Sequence, residues 1–435
     1  MKKIYKAHIL FTKERDQFEV IENGYIAVEN GVVTGVAADL ASLDADGAEV
    51  VDFGDRLLIP AMNDVHVHAP QYRNLGIAMD LQLLPWLENY TFPEELKFAD
   101  TQYAERMYRR FVRDLWRFGT MRSCVFATVH PDSTRMLMNL FREAGMGALV
   151  GKVDMDRNCP EGLTETVEEA IRGNEALIAD CQHDDAVRPI ITPRFIPSCS
   201  PEMLEACGEL ARKYQLPVQS HLSENLNEIA WVKELEPQSQ SYGDAYNRYG
   251  LFGQTPTVMA HCVWTEGQEL QLMKQNQVMV AHCPTSNLNL SSGMAPVRTF
   301  LEEGVPVGIG SDISAGHDLS IFRVMVYAIQ ISKMHYQRNN AKAFLTLPEA
   351  FWIATKSAGR LFGRVGSFEP GYEFDAQVID DSDLNHDDYP LLHRLERYIY
   401  LGDDRQITHR FCRGREVKEP RIAFTRPSGT GDPRA

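Results

Sequence analysis

No run of about 18 consecutive apolar residues occurs anywhere in the 435-residue sequence, so nothing in it reads as a membrane-spanning helix. The N-terminal segment MKKIYKAHILFTKERD meets charge too soon to supply a signal peptide's apolar centre. Positive charge is short as well. With 44 Lys and Arg against 60 Asp and Glu, the formal net charge is −16, which repels nucleic-acid backbones and anionic membranes. The eight cysteines (Cys124, Cys159, Cys181, Cys199, Cys207, Cys262, Cys283 and Cys412) form no C-x-x-C pair, and several sit inside apolar runs. That pattern points to reduced, buried thiols. There is no internal repeat, low-complexity block or heptad pattern, which removes solenoids and coiled coils. The expectation is a cytoplasmic protein that handles a small molecule and has no nucleic-acid or membrane partner.

What is present is a chain with 44% hydrophobic and 24% charged residues, enough for one large domain and a small one. Eight short apolar runs, near 57–66, 120–129, 147–154, 188–196, 216–221, 256–261, 277–282 and 305–311, alternate with segments of helical periodicity such as AERMYRRFVRDLWRFG and PEMLEACGELARKYQ. Parallel strands joined by helical crossovers follow, and eight of them predict an α/β fold, a (β/α)8 TIM barrel over 57–362. The long interval after the first run, QYRNLGIAMDLQLLPWLENYTFPEELKF, falls where a barrel's first loop covers its top face and reads as a lid. Residues 1–56 and 363–420 carry alternating strand-like stretches with Gly turns, including GYIAVENGVVTGVA, FEPGYEFDAQVID and HRFCRGREV. A lone hairpin at either end would be marginal in water, so both ends are expected to build one small β-sandwich domain together. Residues 421–435 read as a tail.

The polar residues that matter stand at the ends of these runs, the face where barrels of this kind keep their active sites. LLIPAMNDVHVH ends in His66 and His68, LPVQSHLSEN contains His221 and Glu224, TVMAHC carries His261 near its end, VMVAHC likewise His282, and VPVGIGSD ends in Asp312. Side chains alternate along a strand, so H-x-H presents two imidazoles on one face, suited to a single divalent ion. Taken alone, H-x-H is equally a pair of packed polar residues, Glu224 a helix cap and His261 a core histidine. Several polar ends among otherwise apolar strands are costly unless they satisfy one another or a metal. His66, His68, His221 and Asp312 make a ligand set with one position open for water, as a hydrolytic centre needs. Glu224 is then the proton shuttle, with His261 and Asp312 taking up or orienting the released proton. His282 is expected to shape the wall. ITPRFIPS has no lysine to bridge a second metal, and Lys152 in the third run is the weaker candidate for that role, so one ion is expected.

These residues resemble the amidohydrolase superfamily and, within it, the branch that deaminates guanine. The stretch DVHVHAPQY followed by LPWLENYTFPEE carries the resemblance most specifically, and FATVHPDS, GKVDMDRNCP, PRFIPS, SHLSEN, AHCPTSNLNLSSG and YLGDDR extend it from about residue 50 to 415. HCPTSN and the metal set are shared more widely, by related deaminases and chlorohydrolases. The resemblance implies hydrolytic deamination of guanine to xanthine and ammonia by a homodimer, with one Zn2+ per subunit or Fe2+ in its place. It implies that Gln71, Arg194 and Phe195 bind the purine beside His221, Glu224 and Asp312, and that Glu224 protonates ring N3 while Asp312 relays a proton to the departing amine. On residue type alone Arg194 is an ordinary salt-bridge residue and Gln71 a loop residue. The sequence departs from the family pattern at Ala61, where glycine is usual, at Val65 within D-T-H-x-H, and at His317, which leaves the pocket's shape there open. A deaminase of another aminated ring, such as a modified purine, a pterin or an s-triazine, is the alternative, and a non-catalytic barrel is disfavoured by the intact ligands. The unrelated cytidine-deaminase fold is excluded because P-C-x-x-C is missing.

Overall fold

The computed structural model describes residues 2–181, 185–339, 343–384 and 388–422, so most of the expected tail over 421–435 lies outside the described residues. Eight parallel strands run in chain order around a ring. Met62–His68, Thr120–Phe126, Gly147–Gly151 and Val187–Pro189 form one hydrogen-bonded set, and Val218–Leu222, Thr257–His261, Met279–His282 and Val307–Ile309 form the other. The two sets are stitched at both junctions. Ile191 N–H donates to Pro217 O at 2.9 Å and Gln219 N–H to Ile191 O at 3.0 Å, while Asp312 N–H donates to His66 O at 2.9 Å and His68 N–H to Ile313 O at 3.1 Å. The barrel strands are mostly buried along their whole length, which explains why they read as nearly continuous apolar runs. Their crossover helices are marked locally. Thr166 and Glu169 make a reciprocal capping box before Val167–Ala179, and Gly145, at φ 73°, ends Pro131–Ala144 in the left-handed region.

The first apolar run is divided differently from the expectation of a single strand over 57–66. Residues 57–60 end Glu49–Pro60, a strand of a seven-stranded sheet made from both ends of the chain, and the barrel's first strand begins at Met62. LLIPAM is apolar throughout because Leu57 and Ile59 face the barrel core while Leu58 faces the sheet's own core, so no polar break marks the crossing. The sheet closes on itself. Val33 N–H donates to Tyr372 O at 2.8 Å and Phe374 N–H to Gly31 O at 2.8 Å, which brings Tyr5, Phe53, Phe374 and Phe411 together in one aromatic core. Between the C-terminal strands lies a helix, Leu391–Leu401, that was not expected from sequence, and its Leu395, Tyr398 and Ile399 join the barrel core.

One buried ion pair ties the sheet to the barrel. Arg122, on the second barrel strand, donates from Nε to Asp375 Oδ2 at 2.6 Å and from Nη2 to Asp375 Oδ1 at 3.2 Å, and Arg413 N–H donates to Asp375 Oδ1 at 2.6 Å. Asp375→Ala removes the bidentate partner and leaves the guanidinium only the contact of its Nη2 with Glu373 Oε2, and we expect it to destabilise the protein by about 3 kcal/mol. Denaturant unfolding checks this: a midpoint unchanged from the parent would contradict the role given to the pair.

Candidate active site

The segment after the first barrel strand folds over the mouth as short helical turns, Ala69–Asn74, Leu83–Trp86, Leu87–Thr91, Phe92–Glu95 and Leu96–Ala99, the third of them a π-helical turn. Beneath it lies a cavity whose lining includes His68, His221, His261, Asp312, Glu224 and Glu228 together with Gln71, Arg194, Phe195, Leu83, Trp86 and Leu87. The strand ends that form its floor bend sharply. Ser223, His261 and Asp312 have φ of 47°, 72° and 48°, a left-handed conformation that costs non-glycine residues energy and gathers at functional sites.

Asp64 holds the first and eighth strands in register. Its Oδ1 accepts from His66 N at 3.1 Å and Ser311 N at 3.0 Å, and its Oδ2 from the Ser311 hydroxyl. Gly310 completes the approach, since a Cβ there would lie 2.8 Å from His66 Cβ. His66 Nε2 is consequently 3.2 Å from Asp312 Oδ1, and His68 Nε2 is 3.5 Å from Asp312 Oδ1 and 3.2 Å from His221 Nε2. His221 Nδ1 lies 2.6 Å from Arg194 O, so Nδ1–H donates to that carbonyl and Nε2 is left with a lone pair facing the cluster. The Phe126 ring packs against His66, His68 and His221 at centroid distances of 5.0, 4.5 and 4.8 Å.

Burial, and then the neighbouring imidazoles, hold His68 and His221 well below the ordinary histidine pKa, and burial lowers His66 too. Neutral imidazoles are the form that binds a metal. Burial works against the Asp312 charge, but His66 and His261 hold its carboxyl at about 2. His66 Nε2 is fully buried with no hydrogen-bond partner, a cost that a ligated ion would remove. One donor atom from each of His66, His68 and His221, and from each of His66, His261 and Asp312, lies within 4.8 Å of the others, so the donors present fit a divalent cation.

Beside this cluster Glu224 accepts from Ser292 Oγ at 3.0 Å, and its Oε2 is 3.4 Å from His261 Nε2. Burial raises the Glu224 pKa. His261 rises despite its burial, because Glu224 and Asp312 both favour its cation, and its Nδ1 sits 2.9 Å from Asn287 Oδ1. The arrangement is a carboxyl able to gain and lose a proton next to an imidazole that stabilises its anion.

The structure thus brings together His66, His68, His221, His261, Asp312, Glu224, Gln71, Arg194 and Phe195 at one site. It does not bring in His282, which lines a separate pocket with Arg298, Ser332 and His335 and is no wall of the main cavity. Lys152 offers no bridge to a second metal: its ammonium is buried between Asp154 Oδ1 at 2.7 Å and Glu165 Oε1 at 2.5 Å. His317 is exposed, within hydrogen-bond reach of Asn289 and Tyr327, and does not line the cavity. Sequence reasoning passed over Glu95, Phe126, Glu228, Asn287 and Ser292. Phe126 ends the second strand inside its apolar run with nothing polar to flag it, and Glu95 sat inside TFPEE without a strand end to draw attention.

An eight-stranded barrel with imidazole and carboxylate donors at the C-terminal ends of its strands is the architecture of a metal-dependent hydrolase. A model of the amidohydrolase family matches residues 57–417, and the chain belongs to that family. Relatives within it include guanine deaminases. It is 38% identical to the guanine deaminase of Dictyostelium discoideum, over 96% of this chain and 98% of that protein, and 35% identical to that of Escherichia coli K12, over 92% of each. It superposes on the crystal structure of guanine deaminase from C. acetobutylicum with guanine bound in the active site at a TM-score of 0.94 and 52% identity, covering 96% of this chain and 100% of the other.

Proposed function

We propose that the protein hydrolyses the exocyclic C–N bond of guanine, converting guanine and water to xanthine and ammonia. The observation that carries this reading is a convergence. Gln71 and Arg194, donors suited to the edge of a planar purine, line the same cavity as Glu224 and the His/Asp cluster. The guanine-bound structural relative at 52% identity supports it.

In this reading the flat ring enters among Leu83, Trp86, Leu87 and Phe195, with Arg194 directed at the carbonyl oxygen and Gln71 at the ring edge. His66, His68, His221 and Asp312 would hold one divalent ion, zinc by preference, although iron suits the same donors. When bound, the ion supplies Lewis acidity and lowers the pKa of water towards neutrality. Glu224 takes the proton released from the attacking water and delivers it to ring N3 as addition at C2 breaks the aromatic system. His261 steadies the Glu224 anion between these transfers. Asp312 receives the second proton and passes it to the amino group, so the amine departs as neutral ammonia and the C2 carbonyl forms. Trp86, 2% exposed, and the turns around it keep bulk water from the reacting atoms.

Eight cysteines that are all thiols, and all but Cys159 buried, support a reducing cytoplasmic setting. Exposed Phe344, Tyr400 and Leu401 border a surface groove and support a homodimer. Ammonia release from guanine, adenine, a pterin and an aminated s-triazine tests the substrate. We expect guanine to give a kcat/KM at least about a hundredfold above the others, because the amide and guanidinium are left unpaired by a ring lacking their partners. Preference for another ring would keep the chemistry and overturn the substrate.

A further inference from the structure

Behind the cavity, and not lining it, Glu95 makes the contacts that position both purine-reading side chains. Arg194 donates from Nη1 to Glu95 Oε2 at 2.6 Å and from Nη2 to Oε1 at 3.1 Å, and Gln71 Nε2 donates to the same Oε1 at 3.0 Å. Gln71 Oε1 is occupied from the opposite side by Ser314 N–H at 3.1 Å. Three donors thus converge on one carboxylate that is 2% exposed. Glu95 closes the short helix Phe92–Glu95 of the covering segment, and the Phe92 ring lies 5.3 Å from the Arg194 guanidinium.

We infer that Glu95 is a positioning and specificity residue, which orients Gln71 and Arg194 through three hydrogen bonds and balances the Arg194 charge so that the cavity favours a neutral purine over an anionic one. Two consequences follow from its geometry. With Oε1 engaged by the Ser314 N–H, the Gln71 amide cannot flip without losing two buried hydrogen bonds, so the orientation of its remaining N–H is fixed. The guanidinium likewise gives both terminal nitrogens to one carboxylate in a bidentate fork, which fixes its plane. A neutralised Arg194 still donates hydrogen bonds but has little net attraction for an anion. The difference matters because xanthine, the product under the proposed function, is a stronger ring acid than guanine and becomes anionic in mild alkali. Glu95 would therefore help the product leave.

This inference rests on the guanine-deaminase reading, and its test separates the two. Steady-state deamination of guanine and competitive inhibition by xanthine are measured at weakly alkaline pH for the parent, Glu95→Gln and Glu95→Asp, with bound metal and melting temperature recorded for each. Glu95→Gln keeps the shape, removes the charge and cannot accept from three N–H groups. We expect its guanine KM to rise by at least about tenfold, with kcat within about threefold of the parent, and the ratio of guanine KM to xanthine Ki to rise by at least about tenfold. Glu95→Asp keeps the charge but shortens the reach, so its KM rises while that ratio stays within about threefold of the parent. A merely structural role would weaken guanine and xanthine alike and leave the ratio unmoved in both variants. An unmoved ratio in Glu95→Gln, or an equal rise in Glu95→Asp, would overturn the inference. If Glu95→Gln fails to fold, Glu95→Ala takes its place as the variant without the charge: a ratio that rises at least about tenfold supports the inference, and an unmoved ratio overturns it. A parent inactive on guanine would instead overturn the function.

Discussion

Glu224→Gln is expected to lower kcat on guanine by about a thousandfold or more while leaving bound metal and guanine KM close to the parent values. The amide occupies the same space and can still accept from Ser292, whose hydroxyl lies 3.0 Å from Glu224 Oε1, so the pocket keeps its shape. It can neither take a proton from water nor give one to a ring nitrogen. His261, with Nε2 3.4 Å from Glu224 Oε2, does not rescue it, because burial disfavours its cation and the variant removes the Glu224 charge that had favoured it. Rapid-quench measurement of xanthine formation checks the step itself. A kcat within tenfold of the parent would remove Glu224 from the chemistry.

Asp312→Asn acts on two functions at once and is expected to bring both metal content and activity to background. Asp312 Oδ1 is 3.2 Å from His66 Nε2 and 3.5 Å from His68 Nε2, and it is the anionic donor among three neutral imidazoles. Losing a residue that merely orients a ligand costs about ten- to a hundredfold in metal affinity, and losing the charged ligand itself costs more than that. The proton relay to the departing amine is lost as well, so saturating metal in the assay is expected to restore occupancy without restoring turnover. Metal analysis alongside kcat checks this, and full activity at restored occupancy would assign the relay elsewhere.

Much of this was legible in the sequence. Barrel strands buried on both sides leave apolar runs, and a polar residue at the end of each stands out against them, so His66, His68, His221, His261 and Asp312 were visible as a set. Gln71, Arg194 and Phe195 were visible only through family resemblance, since nothing in their local pattern separates a cavity residue from an ordinary loop residue. Glu95 was not visible at all. Its importance comes from contacts with residues 24 and 99 positions away, which no local periodicity encodes. The boundary at Pro60–Ala61 was hidden for a related reason: one apolar stretch serves two cores in succession. Lys152, offered by the sequence only as the weaker candidate for a metal bridge, follows the third barrel strand, where Asp154 and Glu165 neutralise it.

The most direct test of the account is to incubate the metal-loaded protein with guanine in water enriched in oxygen-18, and to follow ammonia and the mass of the purine product together. Hydrolytic deamination predicts one ammonia per guanine consumed and xanthine carrying a single heavy oxygen at C2, with both signals lost in Glu224→Gln. Unchanged guanine, or a product without the label, would contradict it.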